Sequence, residues 1–177
     1  MKNLIIFLIL IPIQFGFTSI ELSKSVDKKV RKEIKIAFEA EDVLLEEILI
    51  DEATNIKLKT IIHRDNLFKI FKNDELIGYV YLGKAPSKTD EFDFLVLFDS
   101  DLIIKKSKLI AYREDYGAEI GSKRWLKQFN GLESSSIIEY GNEIVPISGA
   151  TISARSMTIA INNLLQTIAV LQQENIF

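Results

Sequence analysis

The chain has 177 residues, of which 47% are hydrophobic and 27% charged, with a formal net charge of −3, which fits one domain with its own core. It has no basic run of the kind that binds nucleic acid. Because it has no cysteine and His63 is its one histidine, disulfides, thiol chemistry, iron–sulfur clusters and multi-histidine metal or haem sites are excluded, and we expect no metal site.

The first 19 residues, MKNLIIFLILIPIQFGFTS, have the order of a secretory signal peptide. A lysine precedes a long apolar stretch, and small residues follow it. The apolar run is shorter than the roughly 20 residues of a membrane-spanning helix, and Pro12 interrupts it. We predict that residues 1–19 direct export and that residues 20–177 form a single domain. The alternatives are a retained membrane anchor and a buried helix.

Two segments follow before the centre of the chain. SVDKKVRKEIKIAFEA (25–40) is predicted to form an amphipathic helix, because its apolar residues are four apart: Val26, Val30, Ile34 and Phe38. DVLLEEILI (42–50) is ambiguous between helix and strand, and its composition slightly favours a strand.

The middle of the chain is rich in predicted strands. LFKIFKNDELIGYVYLG (67–83) predicts a hairpin around Asn73 and Asp74. FDFLVLF (92–98) is apolar on both faces, as in an inner strand, and a turn at 99–101 leads to a further strand, LIIKKSKLIAY (102–112).

The last third of the chain is predicted to be mainly helical. SKRWLKQF (122–129) predicts a short helix with Ser122 as its N-cap and three residues facing inward: Trp125, Leu126 and Phe129. A polar loop leads to a long amphipathic helix with apolar residues three and four apart: Met157, Ile161, Leu164, Ile168 and Leu171. We therefore predict an α+β fold, a mostly antiparallel sheet flanked by N-terminal and C-terminal amphipathic helices.

The stretch VPISGATISARSM (145–157) stands directly before this last helix. Thr151 or Ser153 as an ordinary N-cap is one interpretation. Arg155, however, lies in the first turn, where a cation opposes the helix dipole by several tenths of a kcal/mol. A bound anion such as phosphate would reverse that cost, and the glycine and alanine of SGAT would let it approach the backbone. The residues alone leave both interpretations open.

SGATIS resembles the S/T-G-A-T flavinylation motif of the FMN-binding domain family, which includes the C subunit of the sodium-pumping NADH:quinone reductase and the G subunit of the Rnf complex. In that family the last threonine of the motif forms a phosphoester with FMN, added outside the cytoplasm by a flavin transferase. The resemblance implies Thr151 as the acceptor. GYVYLG (78–83) and YREDYGAEIGSKRWLKQFNG (112–131) are similar to the family's central sheet and glycine loop, so the resemblance spans residues 78–165.

The chain departs from the family pattern at two points. The family motif usually has an aspartate three residues before the serine, where this chain has Val145. The family's Glu-Thr-Pro-Gly stretch is here Glu114-Asp115-Tyr116-Gly117, without the proline. The first departure bears on how efficiently the transferase flavinylates the chain. The second bears on the conformation of the loop around the flavin.

The resemblance implies an exported, periplasmic or membrane-associated flavoprotein that carries covalent FMN. It would transfer electrons between a membrane-bound redox partner and an extracytoplasmic acceptor, without catalytic residues or a substrate of its own. Such a protein needs neither cysteine nor histidine, because the isoalloxazine supplies the chemistry. The alternatives are a flavin-dependent reductase of a small molecule and a non-flavinylated interaction module with the same fold.

The resemblance also implies a set of residues around the cofactor. The predicted FMN-binding residues are Ser148, Gly149, Ala150, Thr151, Ser153, Arg155, Glu114 and Gly117. Candidate neighbours of the flavin ring are Tyr112, Tyr116 and Trp125, although aromatic residues in such positions more often belong to the core.

Overall fold

The computed structural model describes residues 23–177, and the predicted export segment lies outside the described residues. The described chain forms one five-stranded antiparallel sheet, in the order β1-β2-β3-β4-β5, and four helices. The elements are α1 (Lys24–Phe38), β1 (Leu44–Glu47), α2 (Glu52–Asn55), β2 (Leu67–Lys72), β3 (Glu75–Pro86), β4 (Glu91–Asp99), β5 (Ile104–Ala111), α3 (Lys123–Leu126) and α4 (Thr151–Gln173), with 3-10 turns at Ala118–Gly121 and Lys127–Phe129. The predicted α+β fold is confirmed.

The strands follow one another as a meander because each connection is short. Asn73 and Asp74 have φ values of 50° and 64°, the paired left-handed conformation that suits the twist of a two-residue hairpin. They join β2 to β3 where Lys72 pairs with Glu75. β4 lies between β3 and β5, which explains why the FDFLVLF stretch is apolar on both faces. The hairpin and the inner strand were both predicted correctly.

Each face of the sheet carries its own core. On one face α1 packs Val30 and Ile34 against the sheet, together with Leu95 and Leu97 of β4. On the other face α4 buries its apolar stripe completely, against residues of β3 and β4: Met157, Ile161, Leu164, Ile168 and Leu171. Both amphipathic helices are therefore confirmed.

Two shorter predictions have mixed outcomes. The ambiguous 42–50 segment contains β1, a strand at the edge of the sheet. The short helix exists as α3, and the three predicted inward residues are buried. Ser122 stands at its N-cap position, but its side chain makes no capping hydrogen bond. Within residues 23–177, no helix combines the length and apolar character needed to cross a membrane.

Candidate functional site

The first turn of α4 has no side-chain cap. Ala150 occupies the N-cap position, and the first backbone bond of the helix runs from the Ala154 N–H to the Ala150 carbonyl, at 2.8 Å. The N–H groups of Thr151, Ile152 and Ser153 precede that bond and have no partner within the helix. The interpretation of Thr151 or Ser153 as an ordinary N-cap is therefore wrong. Alanine is a poor N-cap, so the positive end of the helix dipole is left for another group to neutralise.

This uncapped turn faces a cavity of about 690 Å³, within the size range of small-molecule sites. Three segments form its walls: the start of α4, the loop after β5, and the turn between β3 and β4. Six of the eight predicted FMN-binding residues line it: Gly149, Ala150, Thr151, Ser153, Glu114 and Gly117. The fold thus brings together two segments that are separated by more than 30 residues in the chain.

Two predicted residues lie outside the lining. Ser148 is exposed and immediately precedes the cavity residues. Arg155 is also exposed, and its guanidinium carbon lies 5.6 Å from the ring centroid of Tyr140. The favourable contact between a cation and an aromatic face accounts for this direction. The structure therefore does not bring the Arg155 side chain to the cavity.

Gly117 lets the loop after β5 close against α4. Its φ of +93° favours glycine, and a Cβ placed there would lie 2.4 Å from the Tyr112 hydroxyl. That hydroxyl donates to the Tyr116 carbonyl at 2.9 Å and lies 2.9 Å from Oγ of the buried Ser153. Because these bonds connect the loop to the first turn of α4, they fix two walls of the cavity relative to each other.

Glu114 holds the third wall. Its Oε1 atom accepts hydrogen bonds from the Ser87 hydroxyl at 2.5 Å, the Thr89 N–H at 2.6 Å and the Asp90 N–H at 3.1 Å. These hydrogen bonds favour the ionised carboxylate and lower the Glu114 pKa from 4.5 to about 2. The bond from Ser87 has the largest effect, and the backbone bonds come next. The ionised carboxylate thus positions the β3–β4 turn, which contributes Lys88 and Thr89 to the cavity.

Two cations line the cavity, and their pairing differs. Arg113 forms an ion pair with Asp93 and donates to the Glu91 carbonyl at 2.8 Å. Lys88 makes no ion pair with any residue in the described part of the chain. Lys88 is therefore the cation that remains available to an anion in this cavity. Neither Lys88 nor Thr89 is predictable from the sequence as a site residue, because no motif links the β3–β4 turn to the start of α4.

The three aromatic candidates divide into two groups. Tyr112 and Tyr116 line the cavity, and Tyr116 is 84% exposed. Trp125 does not: it is buried edge-on against Phe129, with ring centroids 5.2 Å apart, and its Nε1–H donates to the Val145 carbonyl at 2.9 Å. The proposal of Trp125 as a ring neighbour is therefore not supported, and its role is to pack the core.

Residues 88–166 match the model of a family described as FMN-binding domain. The matched range begins at Lys88, the first residue of the cavity lining along the chain, and includes every other lining residue. No curated protein matches the chain.

Proposed function

We propose that the chain, whose residues 88–166 match the FMN-binding domain family, is an exported flavoprotein with FMN joined to Thr151 by a phosphoester. The observation that carries this proposal is the start of α4, where a threonine hydroxyl is exposed in the first turn of an uncapped helix that opens into a cavity. The Thr151 hydroxyl, the unpaired backbone N–H groups and the cavity therefore lie next to one another.

The residues at this point fit a phosphate group. The free N–H groups of the first turn of α4 are donors for phosphate oxygens, and the helix dipole favours their negative charge. Gly149 has a φ of +84°, which favours glycine in the turn before α4, and a Cβ there would lie 3.4 Å from Oε1 of Glu119. Lys88 supplies a positive charge that no described carboxylate uses.

The rest of the cavity fits a planar aromatic group. Tyr112 and Tyr116 offer aromatic surface, and aromatic rings prefer offset-stacked or edge-to-face contact with one another. The flavin ring, when bound, supplies the one- and two-electron chemistry. The residues of this chain hold it, orient it and shield it in part from water. A phosphoester bond would prevent its loss by diffusion outside the cytoplasm.

The openness of the site favours electron transfer between proteins. Tyr116 is 84% exposed and Ile152 is 52% exposed, both at the cavity. A bound ring would therefore be accessible to a docking protein, and we propose that it exchanges electrons with a membrane-bound redox partner and an extracytoplasmic acceptor. Support for export is the order of residues 1–19. N-terminal sequencing of the secreted protein should give a start near residue 20, and a start at Met1 would favour an anchor.

Covalent attachment is tested by expressing the full chain with a flavin transferase and detecting flavin fluorescence after denaturing electrophoresis. The unaltered chain is expected to fluoresce and Thr151→Ala to be dark. Ser156→Ala removes a hydroxyl further along the same helix, outside the cavity lining, and should fluoresce like the parent. A dark parent, or a fluorescent Thr151→Ala variant, would overturn the proposal.

A further inference from the structure

A groove of about 570 Å³ runs along the free edge of β5, between α1 and the α3 region. Six lysines and one glutamate line it: Lys32, Lys105, Lys106, Lys108, Lys123, Lys127 and Glu33. We call it the lysine groove. Its formal charge is +5, whereas the whole chain carries −3, which leaves −8 for all other residues. The positive charge is therefore concentrated on one concave surface of an acidic protein.

Most of this charge has no partner. Lys106 Nζ lies 2.6 Å from Glu33 Oε2, and both side chains are largely buried, at 25% and 12% exposure. The other five lysines form no ion pair with residues 23–177. Lys105 lies 5.4 Å from the ring centroid of Phe38. Like charges at close range repel one another, so an anionic occupant would relieve a cost that the free protein bears.

Protection of a sheet edge explains only part of the pattern. Lysines on an exposed edge strand prevent its pairing with other chains, which accounts for the three on β5. It does not account for Lys32 on α1 or for Lys123 on α3, which approach the same groove from two other elements. Part of this edge is already covered, because the Ile104 backbone pairs with Gly131 and Leu132. The convergence of three elements indicates a binding surface.

We propose that the lysine groove docks an acidic polypeptide segment of a partner protein. A planar membrane surface fits less well, because the groove is concave and the Lys106 side chain within it is only 25% exposed. The chain's own N-terminal residues 1–22 are unsuited, since Glu21 is their one acidic residue. Opposite charges across such a surface accelerate association and fix orientation.

The position of the groove suits a redox partner, an extension that rests on the proposed function. β5 leads from Lys108 towards Tyr112 at the cavity, four residues that span about 13 Å of strand. A protein docked on the groove would therefore lie near the flavin. The binding test below uses flavin-free protein, so its failure and the failure of flavinylation are separate results.

The test measures binding of a fluorescently labelled peptide of ten glutamates to the full chain by anisotropy at low salt. Exchanging Lys32, Lys123 and Lys127 together for glutamine should weaken binding about tenfold or more. Exchanging the same three for arginine should preserve it. A matched glutamine triple at lysines outside the groove lining, Lys59, Lys72 and Lys84, should change binding by less than about threefold.

Three outcomes would overturn the proposal. Equal weakening by the two glutamine triples would mean that the peptide senses only net charge. Absence of peptide binding at low salt would mean that the lysine groove does not bind acidic polypeptides. Groove-dependent binding to vesicles containing phosphatidylglycerol, without binding to the peptide, would assign the groove to a membrane surface instead. Thermal melts of both triples, expected to match the parent, ensure that the comparison concerns folded protein.

Discussion

Gly117→Ala should destabilise the flavin-free protein by about 2–5 kcal/mol. A left-handed backbone conformation costs a residue with a Cβ about 1–2 kcal/mol. The new Cβ would also lie 2.4 Å from the Tyr112 hydroxyl and displace it from its contacts with the Tyr116 carbonyl and Ser153 Oγ. Loss of two hydrogen bonds adds about 1–3 kcal/mol. Urea denaturation measures the change in the free energy of unfolding.

Gly131→Ala is the matched control. Gly131 has a φ of +81°, but a Cβ there would meet nothing within 4 Å, so only the backbone cost of about 1–2 kcal/mol applies. Tyr112→Phe removes the hydroxyl, and Gly117→Ala made in that variant should cost little more than Gly131→Ala. Equal losses for Gly117→Ala and Gly131→Ala in the parent would refute the contact between loop and helix.

Three further substitutions, one of them with a control variant, test other contacts of the protein. Glu114→Gln should destabilise the protein at neutral pH. Because the folded-state pKa of Glu114 is lowered from 4.5 to about 2, the loss of stability relative to the parent should vanish as pH falls through that range. A loss of melting temperature that does not depend on pH would contradict this. Leu164→Ala should lower the free energy of unfolding by about 2–5 kcal/mol in urea denaturation. Ile159→Ala, at a half-exposed position of the same helix, should lower it by less than about 1 kcal/mol. Similar losses for the two variants would mean that α4 buries a different face. Arg155→Ala should lose about 0.5–1 kcal/mol of contact with Tyr140, equally with and without FMN, and a flavin-dependent loss would show that the guanidinium reaches the phosphate.

The elements that the sequence predicts well are those whose burial imposes a period. Val30 and Ile34 recur at helical spacing because α1 covers one face of the sheet. Asn73 and Asp74 specify a hairpin because they tolerate positive φ. β1 was harder to assign because it is a four-residue edge strand, and Leu44 within it is 61% exposed. Its sequence, LLEE, does not alternate between apolar and polar residues, so the period of two that marks a strand is missing.

Only the part of the site that is contiguous in the sequence could be predicted. SGAT before an amphipathic stretch placed Thr151 at the start of a helix, but it did not reveal that Ala150 would be the N-cap. That Glu114 positions the β3–β4 turn, or that the Arg155 side chain turns towards Tyr140, depends on contacts between distant segments. Local sequence patterns carry no record of such contacts, which is why the geometry corrects the sequence on these points.

Attachment of FMN to Thr151 is tested most directly by locating the modified residue. The full chain, expressed with a flavin transferase, would be digested, and the peptide containing the start of α4 fragmented by tandem mass spectrometry. We expect fragment ions that assign the mass of FMN less one water to Thr151, because a phosphoester differs from its free alcohol and phosphate by one water. The same mass on Ser148 or Ser153, or an unmodified peptide, would contradict it.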